Sequence, residues 1–122
     1  MDKLVLIIED EPKNLTLFRD LLQRFEYMTI EAENGRDGVE LARTRNPDLI
    51  LMDIQMPIMD GLEATRILKL DANTKNIPIL ALTSYAMKGD REKILQAGCD
   101  GYLAKPIDVK EFLATVAQYF PT

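Results

Sequence analysis

Four sets of polar residues stand where an apolar run stops. Glu9-Asp10 follows Leu4-Val5-Leu6-Ile7-Ile8, and Asp53 follows Leu49-Ile50-Leu51-Met52. Thr83-Ser84 follows Pro78-Ile79-Leu80-Ala81-Leu82, and Lys105 follows Gly101-Tyr102-Leu103-Ala104. Brought together, Asp10 and Asp53, with Glu9 beside them, would make a cluster of two or three carboxylates. A pair of carboxylates about 4 Å apart repels by about 4 kcal/mol at an effective dielectric near 20, so the cluster needs a cation or takes up protons. Lys105 supplies one positive charge and leaves the cluster net negative. Oxygen donors in a chain with no histidine favour a hard divalent ion. Partly hydrated Mg²⁺ is the natural candidate, held by two carboxylates, a backbone carbonyl near Gln55 and waters. Magnesium beside a lysine suits phosphate: the ion neutralises two phosphoryl oxygens, Lys105 and the Thr83 hydroxyl take the third, and one carboxylate serves as nucleophile. Asp53 is the better placed nucleophile, on a central run between Asp10 and the runs that end at Thr83 and Lys105.

Those residues meet only if the apolar runs are neighbouring strands that point the same way. The run before Asp53 reads as a strand buried on both faces, as in the middle of a parallel sheet. Between the runs, apolar residues recur at helical spacing. After Pro12 they are Leu15, Phe18, Leu22 and Phe25; after the turn at Asn34-Gly35 they are Val39 and Ala42, with the helix ending near Asn46-Pro47. After Asp60-Gly61 come Leu62, Ile67, Leu68 and Leu70. A polar helix from about Asp90 to Ala97 stops at Gly98, and a last helix from about Asp108 carries Val109, Phe112, Val116 and Phe120. Met28–Ala32 reads as a shorter, partly exposed strand, as at a sheet edge. Five alternations of strand and helix predict a parallel sheet with right-handed crossovers and helices on both faces. All strand carboxyl ends then lie on one edge, where ligands bind in such sheets.

The chain has 122 residues, enough for one domain, and no repeat or linker interrupts it. Its net charge of −5 argues against a general nucleic-acid or anionic-membrane surface. No run approaches membrane-spanning length, and the single Cys99 cannot form an internal disulfide, which fits a reducing cytoplasm. Each polar residue alone has a plainer explanation: Asp10 and Thr83-Ser84 as helix caps, Lys105 as a solvated charge. Their convergence is what argues for a site. A flavodoxin-like cofactor binder would want a Gly-, Ser- or Thr-rich loop after the first strand, where Glu9-Asp10-Glu11 would instead repel phosphate. A hydrolase of free phosphoesters lacks a second acid or base for the leaving group.

The motifs Val5-Leu6-Ile7-Ile8-Glu9-Asp10, Asp48 to Gly61, Ala81-Leu82-Thr83-Ser84 and Gly101 to Pro106 resemble those of the receiver domain of two-component response regulators. The likeness runs over essentially all of residues 1–122. Glu9-Asp10-Glu11, Tyr85 to Asp90 and Ala97-Gly98-Cys99 are similar to stand-alone members. The resemblance implies a flavodoxin-like three-layer α/β/α fold with strand order 2-1-3-4-5, five helices and no output domain. It implies Asp53 as phospho-acceptor from a phosphohistidine donor, and Mg²⁺ held by Asp10, Asp53, the Gln55 backbone carbonyl and Glu9 through water. Thr83 becomes the switch hydroxyl, Lys105 the phosphate-binding lysine, and Tyr102 the aromatic that turns inward on activation. The Lys105-Pro106 bond is expected to be cis. The acidic pair is Glu-Asp where Asp-Asp is common, and Ser84 stands where Ala is common. Gln55 and Tyr85 hold positions that tune water access to the phosphate.

The implied protein is no enzyme beyond its own phosphoryl transfer and dephosphorylation. Its partners would be a histidine kinase or phosphotransfer protein and an effector docking on the face of the fourth helix, fifth strand and fifth helix, with no nucleic acid and no membrane. Leu15 and Ile107, if exposed, would hint at donor docking; ordinary packing is the plainer alternative. A phosphorylation-independent interaction module, or a receiver belonging to a larger kinase, would share the fold.

Overall fold

A computed structural model describes residues 3–56, 58–84 and 88–120, with only the backbone given for Lys88. Pro57 and Tyr85 lie outside the described residues. The elements alternate as β1 (Leu4–Ile8), α1 (Pro12–Arg24), β2 (Met28–Ala32), α2 (Gly35–Arg45) and β3 (Leu49–Asp53). They continue as α3 (Gly61–Leu70), β4 (Ile79–Thr83), α4 (Lys88–Ala97), β5 (Gly101–Ala104) and α5 (Val109–Ala117). All pairings are parallel, in the order β2-β1-β3-β4-β5.

Strand alternation divides the core between the two faces of the sheet. Val5, Ile7, Leu49, Leu51, Leu80 and Leu82 face α1 and α5, where the Phe18 and Phe112 rings stack 5.4 Å apart. Leu6, Ile8, Ile50, Met52, Ile79 and Ala81 face Val39, Ala42, Ala64, Leu68 and Ile94 of α2, α3 and α4. Every residue of β3 and β4 is buried, as apolar strands covered on both faces require. The β2 edge is partly open, as the sequence predicts.

Four of the helix starts are set by side-chain caps. Glu11, Asn34, Asp60 and Asp108 accept from the backbone N–H groups of Lys13, Asp37, Glu63 and Glu111. Asn34-Gly35, expected as a turn, is therefore the cap and first residue of α2. α4 stops at Gly98, whose φ of +114° suits a residue without Cβ.

Three expected core positions point outward. Phe25 is the C-cap of α1 and 56% exposed, while Leu21, one turn earlier, takes the buried place. Leu70, at the last position of α3, is 88% exposed because the helix buries Ala64, Thr65 and Leu68 instead. Val109, the first residue of α5, is also exposed, and Phe112 and Val116 carry that helix's buried face. β4 is shifted by one residue from the predicted run, starting at Ile79 and ending with Thr83.

Candidate functional site

The parallel register sets the strand ends side by side. Asp53 pairs with Leu82 and Thr83 with Ala104, and the Lys105 N–H donates to the Thr83 carbonyl at 2.8 Å. Glu9 is tied to the neighbouring strand through its N–H and the Ala32 carbonyl, 3.0 Å apart. The start of α3 closes directly over the end of β3. Gly61 donates to the Ile54 carbonyl at 3.0 Å, and any Cβ on Gly61 would run into the Asp53 carbonyl oxygen.

Lys105 reaches back across the edge and grips two carboxylates. Its Nζ donates to Glu9 Oε1 at 2.9 Å and to Asp53 Oδ1 at 3.0 Å. Glu9 is fully buried and Asp53 is 2% exposed, whereas Asp10 is exposed. Carboxylate oxygens of Glu9, Asp10 and Asp53 all lie within 4.8 Å of one another. The other Glu9 oxygen accepts from the Glu11 N–H at 3.1 Å.

Crowding of like charge leaves an electrostatic mark. Burial first, and then the hydrogen bond and charge of Glu9, push the Asp53 carboxyl up to about 7, against the opposing pull of Lys105. For Lys105, burial alone would lower the pKa; its bonds to Glu9 and Asp53 outweigh that and hold the ammonium above its usual value. One ammonium among three carboxylates leaves the cluster net negative. Such a set of hard oxygen donors fits a divalent cation such as Mg²⁺.

Asp10 does not cap the following helix. Glu11 does, which leaves the Asp10 carboxylate facing the cluster. Thr83 is 1% exposed at the end of β4, Ser84 is exposed, and Tyr102 is half-buried on β5 with the Arg91 guanidinium 5.8 Å from its ring centre. The Lys105-Pro106 peptide is cis. Leu15, weighed as a surface residue for docking, is buried against the α1–α5 core, and Ile107 packs partly against the same cluster. Leu17, one position off that buried stripe, is exposed and lines a cavity of about 340 Å³ beside Lys105.

The Gln55 side chain adds a feature that spacing did not predict. Its Nε2 donates to Thr83 Oγ1 at 3.1 Å and its Oε1 accepts from the Ser84 N–H at 3.3 Å. Its backbone N–H donates to Asp53 Oδ1 at 3.3 Å. The sequence signal is its place two residues after Asp53, which points to the backbone carbonyl and to water access at the phosphate, not to these side-chain bonds.

The family described as response regulator receiver domain matches residues 5–117. The chain belongs to that family. The polar-differentiation response regulator DivK of Brucella anthropi is 50% identical to this receiver over 119 residues, covering 98% of this chain and 97% of its own. DivK of Brucella ovis is 49% identical over the same span. Among solved structures, the receiver domain of a Pseudomonas aeruginosa sensor histidine kinase superposes with a TM-score of 0.90 at 36% identity, covering 98% of both chains. That structure has a magnesium ion coordinated in its active-site cleft. The chemotaxis protein CheY4 of Vibrio cholerae superposes at 0.92 with 26% identity, covering 98% of this receiver and all of its own chain. The receiver is thus a two-component signalling protein of flavodoxin-like fold, a class whose partners are histidine kinases, and its acidic cluster is compatible with magnesium.

Proposed function

We propose that Asp53 is the phosphoryl acceptor of this receiver. The observation that carries this is a carboxylate almost wholly buried at the end of the central strand, bonded to Lys105 and within 4.8 Å of two further carboxylates. An Asp53 oxygen attacks the phosphorus of a phosphohistidine donor. The new P–O bond forms as the P–N bond breaks, and the bonding pair leaves with the donor imidazole. Lys105, already placed against Asp53, and the Thr83 hydroxyl take phosphoryl oxygens. Asp10, Asp53 and the Gln55 carbonyl would hold Mg²⁺ directly, and Glu9 through water. When bound, the ion supplies positive charge to the phosphoryl oxygens and offsets the carboxylate excess.

Phosphorylation brings about −1.5 to −2 charges to a buried edge. Thr83 is drawn toward them, Tyr102 fills the space it vacates, and the face of α4, β5 and α5 changes shape for an effector. The half-buried setting of Tyr102 beside Arg91 of α4 supports this reading. We further propose a stand-alone cytoplasmic receiver of one domain with no output domain, enzymatic only toward its own phosphoryl group. Coverage of 97% of the DivK relatives supports the single domain. The net charge of −5 supports protein partners, with neither nucleic acid nor membrane bound, and no described helix is long and apolar enough to cross a membrane. A small acyl-phosphate donor with Mg²⁺ is expected to label the protein, and Asp53→Ala to abolish the label. Labelling that survives the substitution removes Asp53 from the role.

A further inference from the structure

Gln55 makes three contacts that belong to different parts of the site. Its backbone N–H is on Asp53, one end of its side-chain amide is on the Thr83 hydroxyl, and the other end is on the Ser84 backbone. The amide has no rotational choice. Ser84 N–H can only be met by the carbonyl oxygen, which forces the NH₂ group onto Thr83 Oγ1. The side chain therefore staples the β3–α3 loop to the end of β4. With the backbone tied to Asp53 and the far end tied to Ser84, the amide cannot follow Thr83 if its hydroxyl moves toward a group on Asp53. That movement must release or exchange the 3.1 Å bond.

We propose that the Gln55 side chain is a positioning residue: it holds Thr83 in its resting place and sets how often the unphosphorylated receiver visits the switched state. This inference rests on the reading of Asp53 as acceptor and Thr83 as switch. A neutral hydrogen bond of ordinary net worth, lost on switching, biases the resting equilibrium by about two- to tenfold. Gln55→Met keeps the side chain's length and the backbone carbonyl but removes both amide bonds. Gln55→Ala removes the whole arm from a partly exposed position, so at least one variant retains the fold.

The test compares two-dimensional amide spectra of the unphosphorylated wild type and both variants with those of wild type saturated with beryllofluoride and Mg²⁺. Resting resonances of β4, Tyr102 and α4 in the variants are expected to move along the line toward the beryllofluoride-bound positions, with the switched fraction raised about two- to tenfold. A purely structural loss would scatter peaks off that line. Unmoved or scattered peaks, in variants whose wild-type parent responds to beryllofluoride, overturn the role of Gln55 alone. A wild type that does not respond, or an Asp53→Ala variant that does, overturns the reading of the acceptor beneath it.

Discussion

The buried acceptor should cost this receiver stability whenever no cation is bound, and Asp53→Asn tests that with a change of one atom. The attraction between Asp53 and Lys105 at 3.0 Å is worth about 5.5 kcal/mol at an effective dielectric near 20. Repulsion from buried Glu9 within 4.8 Å is at least about 3.5 kcal/mol on the same scale, and exposed Asp10 adds a smaller, screened share. These charge terms nearly cancel, so the removal of a 2%-exposed carboxylate from water decides the sign. The asparagine keeps an oxygen for Lys105 and the Gln55 N–H, and gains an amide that can donate to Glu9. In chelator, chemical denaturation at pH 7.5 is expected to find the variant more stable by about 1–3 kcal/mol. The gap also has a pH signature. Asp53 holds its proton more tightly folded, to about 7, than unfolded, near 3.8, so wild type loses stability as pH rises between those values and the variant does not. The advantage should therefore shrink toward pH 5. Saturating Mg²⁺ should narrow it as well, because a ligand of the folded state stabilises the wild type. A variant equal to or weaker than wild type in chelator at pH 7.5 refutes the reasoning.

Lys105→Met leaves Glu9 and Asp53 buried without their shared cation; denaturation in chelator should register a loss of about 2–4 kcal/mol, partly recovered by Mg²⁺. Gly61→Ala forces a Cβ against the Asp53 carbonyl and lifts the start of α3; we expect a loss of about 1–3 kcal/mol and slower acyl-phosphate labelling, read by mass spectrometry. Ile58 holds a β-branched side chain at φ 71° while 73% exposed, a conformation that costs an L-residue roughly 1–2 kcal/mol. Ile58→Asn, which tolerates that region, should raise the melting temperature by several degrees with labelling unchanged.

Most of this architecture was legible because the chain's apolar pattern changes period so cleanly. The strands at Leu4–Ile8 and Leu49–Asp53 are continuous apolar runs, and only a doubly covered parallel sheet gives such runs a home. Once the strands are parallel, Glu9, Asp53, Thr83 and Lys105 must share an edge, so the geometry of the cluster followed from topology. Helix faces were harder to read. Leu70 and Phe25 match the helical period yet lie at helix ends and are exposed, and hydrophobicity alone does not locate where a buried face stops. Leu15 and Leu17 differ by two positions, about 200° around α1, so one is buried and the other exposed. The Gln55 staple was illegible for another reason. An amide that bridges two loops is defined by where both loops go, and neither path is a periodic feature.

The groups that weaken the metal-free fold are the ones the signal requires. If Asp53 were satisfied at rest by full pairing or by open water, adding a phosphoryl group would change little, since new charge in a balanced or solvated setting is cheap. Here the acceptor sits at the dry end of a strand with more negative charge than Lys105 can offset. Further negative charge must then be met by movement of nearby donors. Thr83 lies closest in the sheet on that side, and Gln55 holds it. Stability and responsiveness therefore pull on the same few residues in opposite directions: Asp53→Asn should give the firmer protein and the silent one.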